Sequence, residues 1–533
     1  MSVSILARVT SLCAAAALIF AGSPALAEWR RAESPRFIVY SQGGEAALRR
    51  YVQALETYDF ILRARMGLPL EQSPARKLPI YLVGGRSGLV QINPRTGPDV
   101  AGTYFPVSED IFAAAVQDRE QDFLLHEYFH HFSAEVGATS TYPGWMIEGL
   151  AEYFMTAEIK AGSVEIGGYN ENRAYVLLNL PWLQLEQLLT KRPGELTRQS
   201  DRDSYYPVAW LMTHWFMSDD TRRAQLSAYT AAVLAGSDSV GALEQATGLT
   251  LSEVRQALRR YVQGRLPGQR YEFDRAPAEI TVTRLPRSAD DLLLLGQRLK
   301  VGVDEDQRGA TAELVRRAAA RHPDDPFAML QLSHAELHFG NADEGETILT
   351  RLLEIEPRNV EALQLMASRY MALAEERTDE STALLRRARG FLGRAYEVDN
   401  GNYHTLYMIA RTRAGSADYP TENDLVTWDL AHRFAPQLAS IRLGYASALM
   451  EAGEFEQAIM LLRPLANAPH GGGAALAAQG LVERASAGQA PPTDEIDPTS
   501  VDREQQGDTP DRTGEPANPE PAAPEGEPEP PSA

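Results

Sequence analysis

The 533-residue chain carries 51 Lys and Arg against 72 Asp and Glu, a formal net charge of -21, and is 44% hydrophobic with one cysteine. So acidic a balance argues against a nucleic-acid-binding surface, because phosphate recognition rests on clustered Lys and Arg. A lone cysteine excludes both an internal disulfide and a cysteine-built metal site.

In chain order, Arg8 precedes an apolar run over residues 9–20, and Ala25-Leu26-Ala27 satisfies the small-x-small rule of signal-peptide cleavage. Residues 1–27 are therefore expected to be a signal peptide cut after Ala27, which takes the only cysteine, Cys13, with it and directs the mature chain to the periplasm or the exterior. The run is too short to span a bilayer, and no later stretch reaches the roughly 20 apolar residues a membrane helix needs. No transmembrane segment is expected.

Residues 36–41 read as a strand, 45–66 have helical periodicity, and 78–83 read as a second strand stopped by Gly84-Gly85. Residues 101–104 and 111–116 supply candidates for further strands. From 185 to 265 the pattern is almost wholly helical, including 206–217 and 251–262. A mixed sheet-and-helix domain over residues 28–275 follows.

Within it lies His126-Glu127-Tyr128-Phe129-His130, and eighteen residues after His130 comes Glu148. Histidines at i and i+4 project from one helix face, close enough to share one metal, while Glu127 points about 100° away round the helix. A third ligand from a second helix would leave the fourth tetrahedral position open, as a catalytic zinc site requires. With 10 histidines in the chain, an accidental His-Glu-x-x-His is expected on the order of 0.01 times. The competing reading is a core helix whose histidines are merely hydrogen-bonded, which is costly without partners.

Residues 276–286 read as a linker. Beyond it the chain becomes a series of amphipathic helix pairs: Phe339-Gly340-Asn341-Ala342-Asp343-Glu344-Gly345 precedes Ile348, Leu349, Leu352, Leu353 and Pro357, and the same grammar returns from Ala452 to Ala458. The spacing is near the 34 residues of a tetratricopeptide repeat. Four or so degenerate pairs are expected over residues 287–486, forming a short solenoid. From Gln489 to Ala533 there are 12 acidic residues against Arg503 and Arg512, with 11 prolines; the tail 487–533 is expected to be disordered, for want of apolar surface to offset its ordering entropy.

His126-Glu127-x-x-His130 together with Trp145-x-x-Glu148-Gly149-x-Ala151-Glu152-Tyr153 resembles the gluzincin branch of zinc metallopeptidases, specifically the bacterial peptidase-MA-like proteins often fused to tetratricopeptide repeats. The resemblance covers about residues 28–270. It implies an α+β, zincin-like metallopeptidase domain ahead of the all-α solenoid, with one zinc per chain held by His126, His130 and Glu148, and Glu127 as the general base. It further implies a tyrosine on the oxyanion, best matched by Tyr206 with Tyr205 as the substitute and packing as the rival role for either. Glu152 would orient His126, with a solvated surface glutamate as the competing reading; His131 and His214 are read as structural. The segment by which aminopeptidase relatives hold a free amine is absent, so an endopeptidase is expected.

The function expected is an exported zinc-dependent endopeptidase acting on a protein or peptide substrate, with the repeats recruiting that substrate or a protein partner. The alternative is a catalytically inactive peptidase-like scaffold of the cell envelope. A peptidase of the membrane-associated type and a hydrolase of non-peptide amides are further rivals.

Overall fold

Alternation of side chains along each strand decides how the sheet is covered. In the computed structural model, which describes residues 29–97, 100–117, 122–137, 142–169, 171–468 and 472–492, β1 (Arg30–Glu33) and β2 (Phe37–Ser41) lead into α1 (Glu45–Met66), β3 (Leu78–Val83), α2 (Arg86–Ile92), β4 (Gly102–Pro106) and β5 (Ile111–Val116). The expected signal peptide and residues 493–533 of the tail lie outside the described residues. β2, β3 and β5 run parallel, β4 is antiparallel to β5, and β1 is antiparallel to β2. Parallel neighbours need a crossover, which α1 supplies between β2 and β3; it stops at Gly67, whose φ of 68° suits a residue without a side chain.

Phe37, Val39, Leu78, Ile80, Leu82, Ala113 and Ala115 pack on one face against α1 and the helix after β5, while Tyr81, Val83, Phe112 and Ala114 point the other way. β3 is buried along its whole length, as a central parallel strand should be. Pro79 is tolerated there because pairing with β5 begins only at Ile80.

The next elements are α3 (Asp122–Val136), α4 (Gly144–Phe154), β6 (Glu158–Lys160), β7 (Ser163–Ile166), α5 (Glu171–Asn179), α6 (Leu185–Thr190), α7 (Gln199–Met217), α8 (Asp220–Leu234), α9 (Ser239–Thr247), α10 (Leu251–Val262) and β8 (Gln269–Glu272), with β6, β7 and β8 forming a small antiparallel sheet. Helix α7 starts earlier than the expected 206 and carries Pro207 inside it. Proline removes one i to i-4 bond and usually marks a first turn; here burial of nearly every residue from Ser204 to Phe216 carries the helix through it.

The expected linker 276–286 is not free chain. It supplies β9 (Thr281–Arg284), which pairs antiparallel with β1 and completes a six-stranded sheet of order β4-β5-β3-β2-β1-β9. The following α11 (Ser288–Val301) lays Ala289, Leu293, Leu294 and Val301 over Trp29, Tyr81 and Phe112. So the sheet's second face is closed by the first helix of the all-α region.

That region continues with α12 (Arg308–Ala319), then the pairs α13 (Pro326–Phe339) with α14 (Ala342–Ile355), α15 (Val360–Glu376) with α16 (Ser381–Val398), α17 (Tyr403–Arg411) with α18 (Glu422–Phe434), and α19 (Ala439–Glu451) with α20 (Phe455–Ala466), closed by α21 (Gly472–Ser486). These helices pack as consecutive pairs among the described residues. Asn341 caps α14 by accepting from the Asp343 and Glu344 N–H groups, and Gly345 lets α14 approach the Ser333 carbonyl of α13. No helix among the described residues is long and apolar enough to cross a membrane.

The solenoid holds the turn between β4 and β5. Lys300 of α11 lies 3.8 Å from Asp110 and 3.1 Å from Glu361 of α15, and His334 of α13 lies 3.2 Å from Glu109. The Arg76 guanidinium bonds Asp110 and stacks 5.4 Å from the Tyr403 ring centre of α17. These contacts come from α11 and from the first helices of successive pairs.

Candidate metal centre

Helix α3 is fixed by a buried polar anchor on α1. Tyr128 donates to Asp59 at 2.7 Å, and Asp59 also takes the Arg36 and Arg63 guanidinium groups at 2.6 and 2.9 Å. Tyr58 donates to the Leu125 carbonyl at 3.2 Å. A buried carboxylate so fully engaged orients the helix that carries it and its partners, and it leaves the opposite side of α3, with His126 and His130, facing α4.

Helix α4 reaches that side because Gly149 permits close approach to α7: a side chain there would meet Thr213 Oγ1 at 2.2 Å and the Ala209 carbonyl oxygen at 2.7 Å. Trp145, fully buried, donates to Tyr229 of α8 at 2.8 Å and locks the start of the helix. Glu148 is then carried to the histidines.

The Nε2 atoms of His126 and His130 are 3.0 Å apart, and Glu148 places Oε2 3.5 Å from the first and Oε1 3.5 Å from the second. Donors bonded to one tetrahedral zinc at about 2.0–2.2 Å stand roughly 3.3–3.5 Å from one another. Two imidazoles and a carboxylate in such a triangle fit a zinc ion in both spacing and chemistry. His126 and Glu148 have no exposed side-chain surface, whereas His130 retains 21%, so solvent reaches the triangle from the His130 side. Glu127, next to His126 on α3, is half-buried.

Behind His126, Glu152 of α4 sits with Oε1 3.3 Å from Nδ1. Arg173 of α5 grips the same carboxylate with two bonds, Nε to Oε2 at 2.7 Å and Nη2 to Oε1 at 3.0 Å. Burial would raise the Glu152 carboxyl, but the Arg173 guanidinium and the His126 ring outweigh it and hold the group well below the usual carboxylate range. Arg173 carries no local sequence signal for this role.

Tyr206 is buried on α7 with the Arg173 guanidinium 5.8 Å from its ring centre. Tyr205, fully buried, donates to the Lys191 carbonyl at 3.4 Å, and burial followed by the Glu148 charge pushes its phenol up. His131 pairs with the Tyr104 hydroxyl at 2.9 Å, and burial lowers it to about 3. His214 pairs with Tyr261 at 2.8 Å.

A second grouping of metal-competent side chains exists among the described residues: Glu109, His334 and His338. One zinc per chain was expected, and the structure offers two places. The His-x-x-x-His spacing on α13 was visible in the sequence; the acidic partner, far earlier in the chain, was not.

Residues 303–368 match the family model of the tetratricopeptide repeat. Among solved structures, a thermophilic tetratricopeptide-repeat protein from Thermus thermophilus is similar at 19% identity, covering 38% of this chain and 98% of that chain, with a TM-score of 0.30. No curated protein matches the chain. The all-α region thus includes a tetratricopeptide-type stretch, distant and partial, behind an N-terminal α/β domain.

Proposed function

We propose that the chain is an exported, zinc-dependent endopeptidase of the gluzincin type. The observation that supports this most is the triangle of His126, His130 and Glu148 donors, with sides of 3.0–3.5 Å, opening to solvent beside a carboxylate, Glu127, that stands outside the triangle. A zinc ion held by these three residues would act as a Lewis acid and would lower the pKa of a bound water toward neutrality. Glu127 takes a proton from the attacking water and delivers it to the leaving amine. Tyr206 donates a hydrogen bond to the oxygen that gains charge in the tetrahedral intermediate. Glu152, backed by Arg173, fixes the ring orientation of His126.

The repeat region is of a kind that binds protein partners, and we assign it two tasks: holding the β4–β5 turn of the enzyme domain and presenting its remaining surface to a protein substrate or partner. The test is Glu127→Gln in the full chain against a peptide library. Zinc content should match the wild type while cleavage falls by about 100-fold or more, the scale of a lost general base. Cleavage by the variant at the wild-type rate would remove Glu127 from the mechanism. A wild type that binds zinc and cleaves no library member would favour the scaffold reading.

A further inference from the structure

We propose that Glu109, His334 and His338 form a second transition-metal site, one that staples the solenoid to the β4–β5 turn of the enzyme domain. His334 and His338 stand at i and i+4 on α13, their ring centres 5.0 Å apart and steeply inclined at 68°. One donor atom from each histidine and one Glu109 oxygen all lie within 4.8 Å of each other.

His334 is the telling residue. Its side chain is 1% exposed, yet its Nδ1 has no hydrogen-bond partner among the described residues. Its Nε2 meets only the Glu109 carboxylate, 3.2 Å from Oε2, as an ion pair. A buried imidazole left this way is costly, whereas 3.2 Å is close to the distance between two ligands of one zinc ion. Two imidazole nitrogens and one carboxylate suit a divalent ion of the zinc or cobalt type more than calcium or magnesium, which favour all-oxygen sites. His338 lies at the exposed edge, so an ion could reach the grouping from solvent.

The location gives the site its meaning. Glu109 is on the tip of the turn between β4 and β5, and β5 leads directly into α3 with His126 and His130. Next to it, Lys300 already spans Asp110 and Glu361, which leaves the Glu109 carboxylate to the histidines. A metal bound here would cross-link two parts of the chain distant in sequence and stabilise their docking by its binding free energy.

The site is independent of the proposed catalytic one, and the test separates them. Full-length metal-free protein is titrated with Zn(II) alone, and bound metal is counted for wild type, His338→Ala, Glu109→Gln and His126→Ala. His338 is exposed, so its removal spares the core. Two equivalents are expected for the wild type, and one for each of the three variants. Hydrogen exchange across residues 105–111 should slow on adding zinc to wild type and to His126→Ala, and not to His338→Ala or Glu109→Gln. If His338→Ala and Glu109→Gln bind as much zinc as the wild type, the proposal is overturned and the turn is held by ion pairing alone. A wild type and His126→Ala that bind equally would instead count against the catalytic centre, whatever the other variants do.

Discussion

Glu152 has no exposed side-chain surface and is held from two directions, by the paired Arg173 bonds and by the His126 ring. Removing Arg173 would strand its charge. Arg173→Ala is expected to cost about 3 kcal/mol, the low end for breaking a buried ion pair, because Arg173 keeps 16% of its own surface; urea unfolding of the metal-free chain measures it. Glu152→Gln keeps the shape and loses the charge behind His126, so zinc affinity should fall on the order of 10- to 100-fold with stoichiometry unchanged at saturating zinc. Competition against a chelator reads this, and an unaltered affinity would assign Glu152 to packing alone. The place of Glu152 on the Glu148 face was legible from the i+4 spacing, and its role toward His126 only from the family resemblance. Arg173 was not, since its contact depends on how α5 folds back over α4.

At the scale of elements, the approach of α4 to α7 decides whether Glu148 arrives. Gly149→Ala places a methyl group where Thr213 and the Ala209 carbonyl already are, so a loss of about 2 kcal/mol or more is expected from overpacking, with weaker zinc binding as the helix shifts. Gly390→Ala is the control: on α16, with nothing within 4 Å of the added carbon, it should gain about 0.5–1 kcal/mol from helix propensity. Denaturant midpoints of the two variants should move in opposite directions; a shift of the same sign would contradict the packing account. Elements with a strong internal period were readable: α1 and β3 occupy the residues whose apolar pattern marks them. β9 was missed although Ile280-Thr281-Val282-Thr283 is an alternating β-branched run, because Pro277 and Pro286 flank this largely exposed edge strand and its partner β1 lies at the far end of the domain's sequence. The extent of α7 failed differently. Pro207 is a strong local stop signal, and tertiary burial overrode it.

For the whole molecule, the change of pattern near residue 276 suggests two separable blocks, while the contacts argue for one integrated body. A 28–275 fragment lacks β9, which covers the edge of β1, and α11, which covers Trp29, Tyr81 and Phe112. It also lacks the solenoid's hold on the β4–β5 turn. The fragment is expected to show no cooperative thermal transition, and a sharp melt with bound zinc would restore the picture of an autonomous catalytic domain. The first metal grouping could be anticipated because its ligands lie on two consecutive helices, α3 and α4; the second could not, because Glu109 and the α13 histidines are more distant in sequence. Anomalous diffraction at the zinc edge from crystals of the full chain checks whether His126, His130 and Glu148 hold one zinc ion. A peak is expected within about 2.0–2.2 Å of the two Nε2 atoms and a Glu148 oxygen; zinc-loaded crystals with no peak between these three side chains would overturn the assignment.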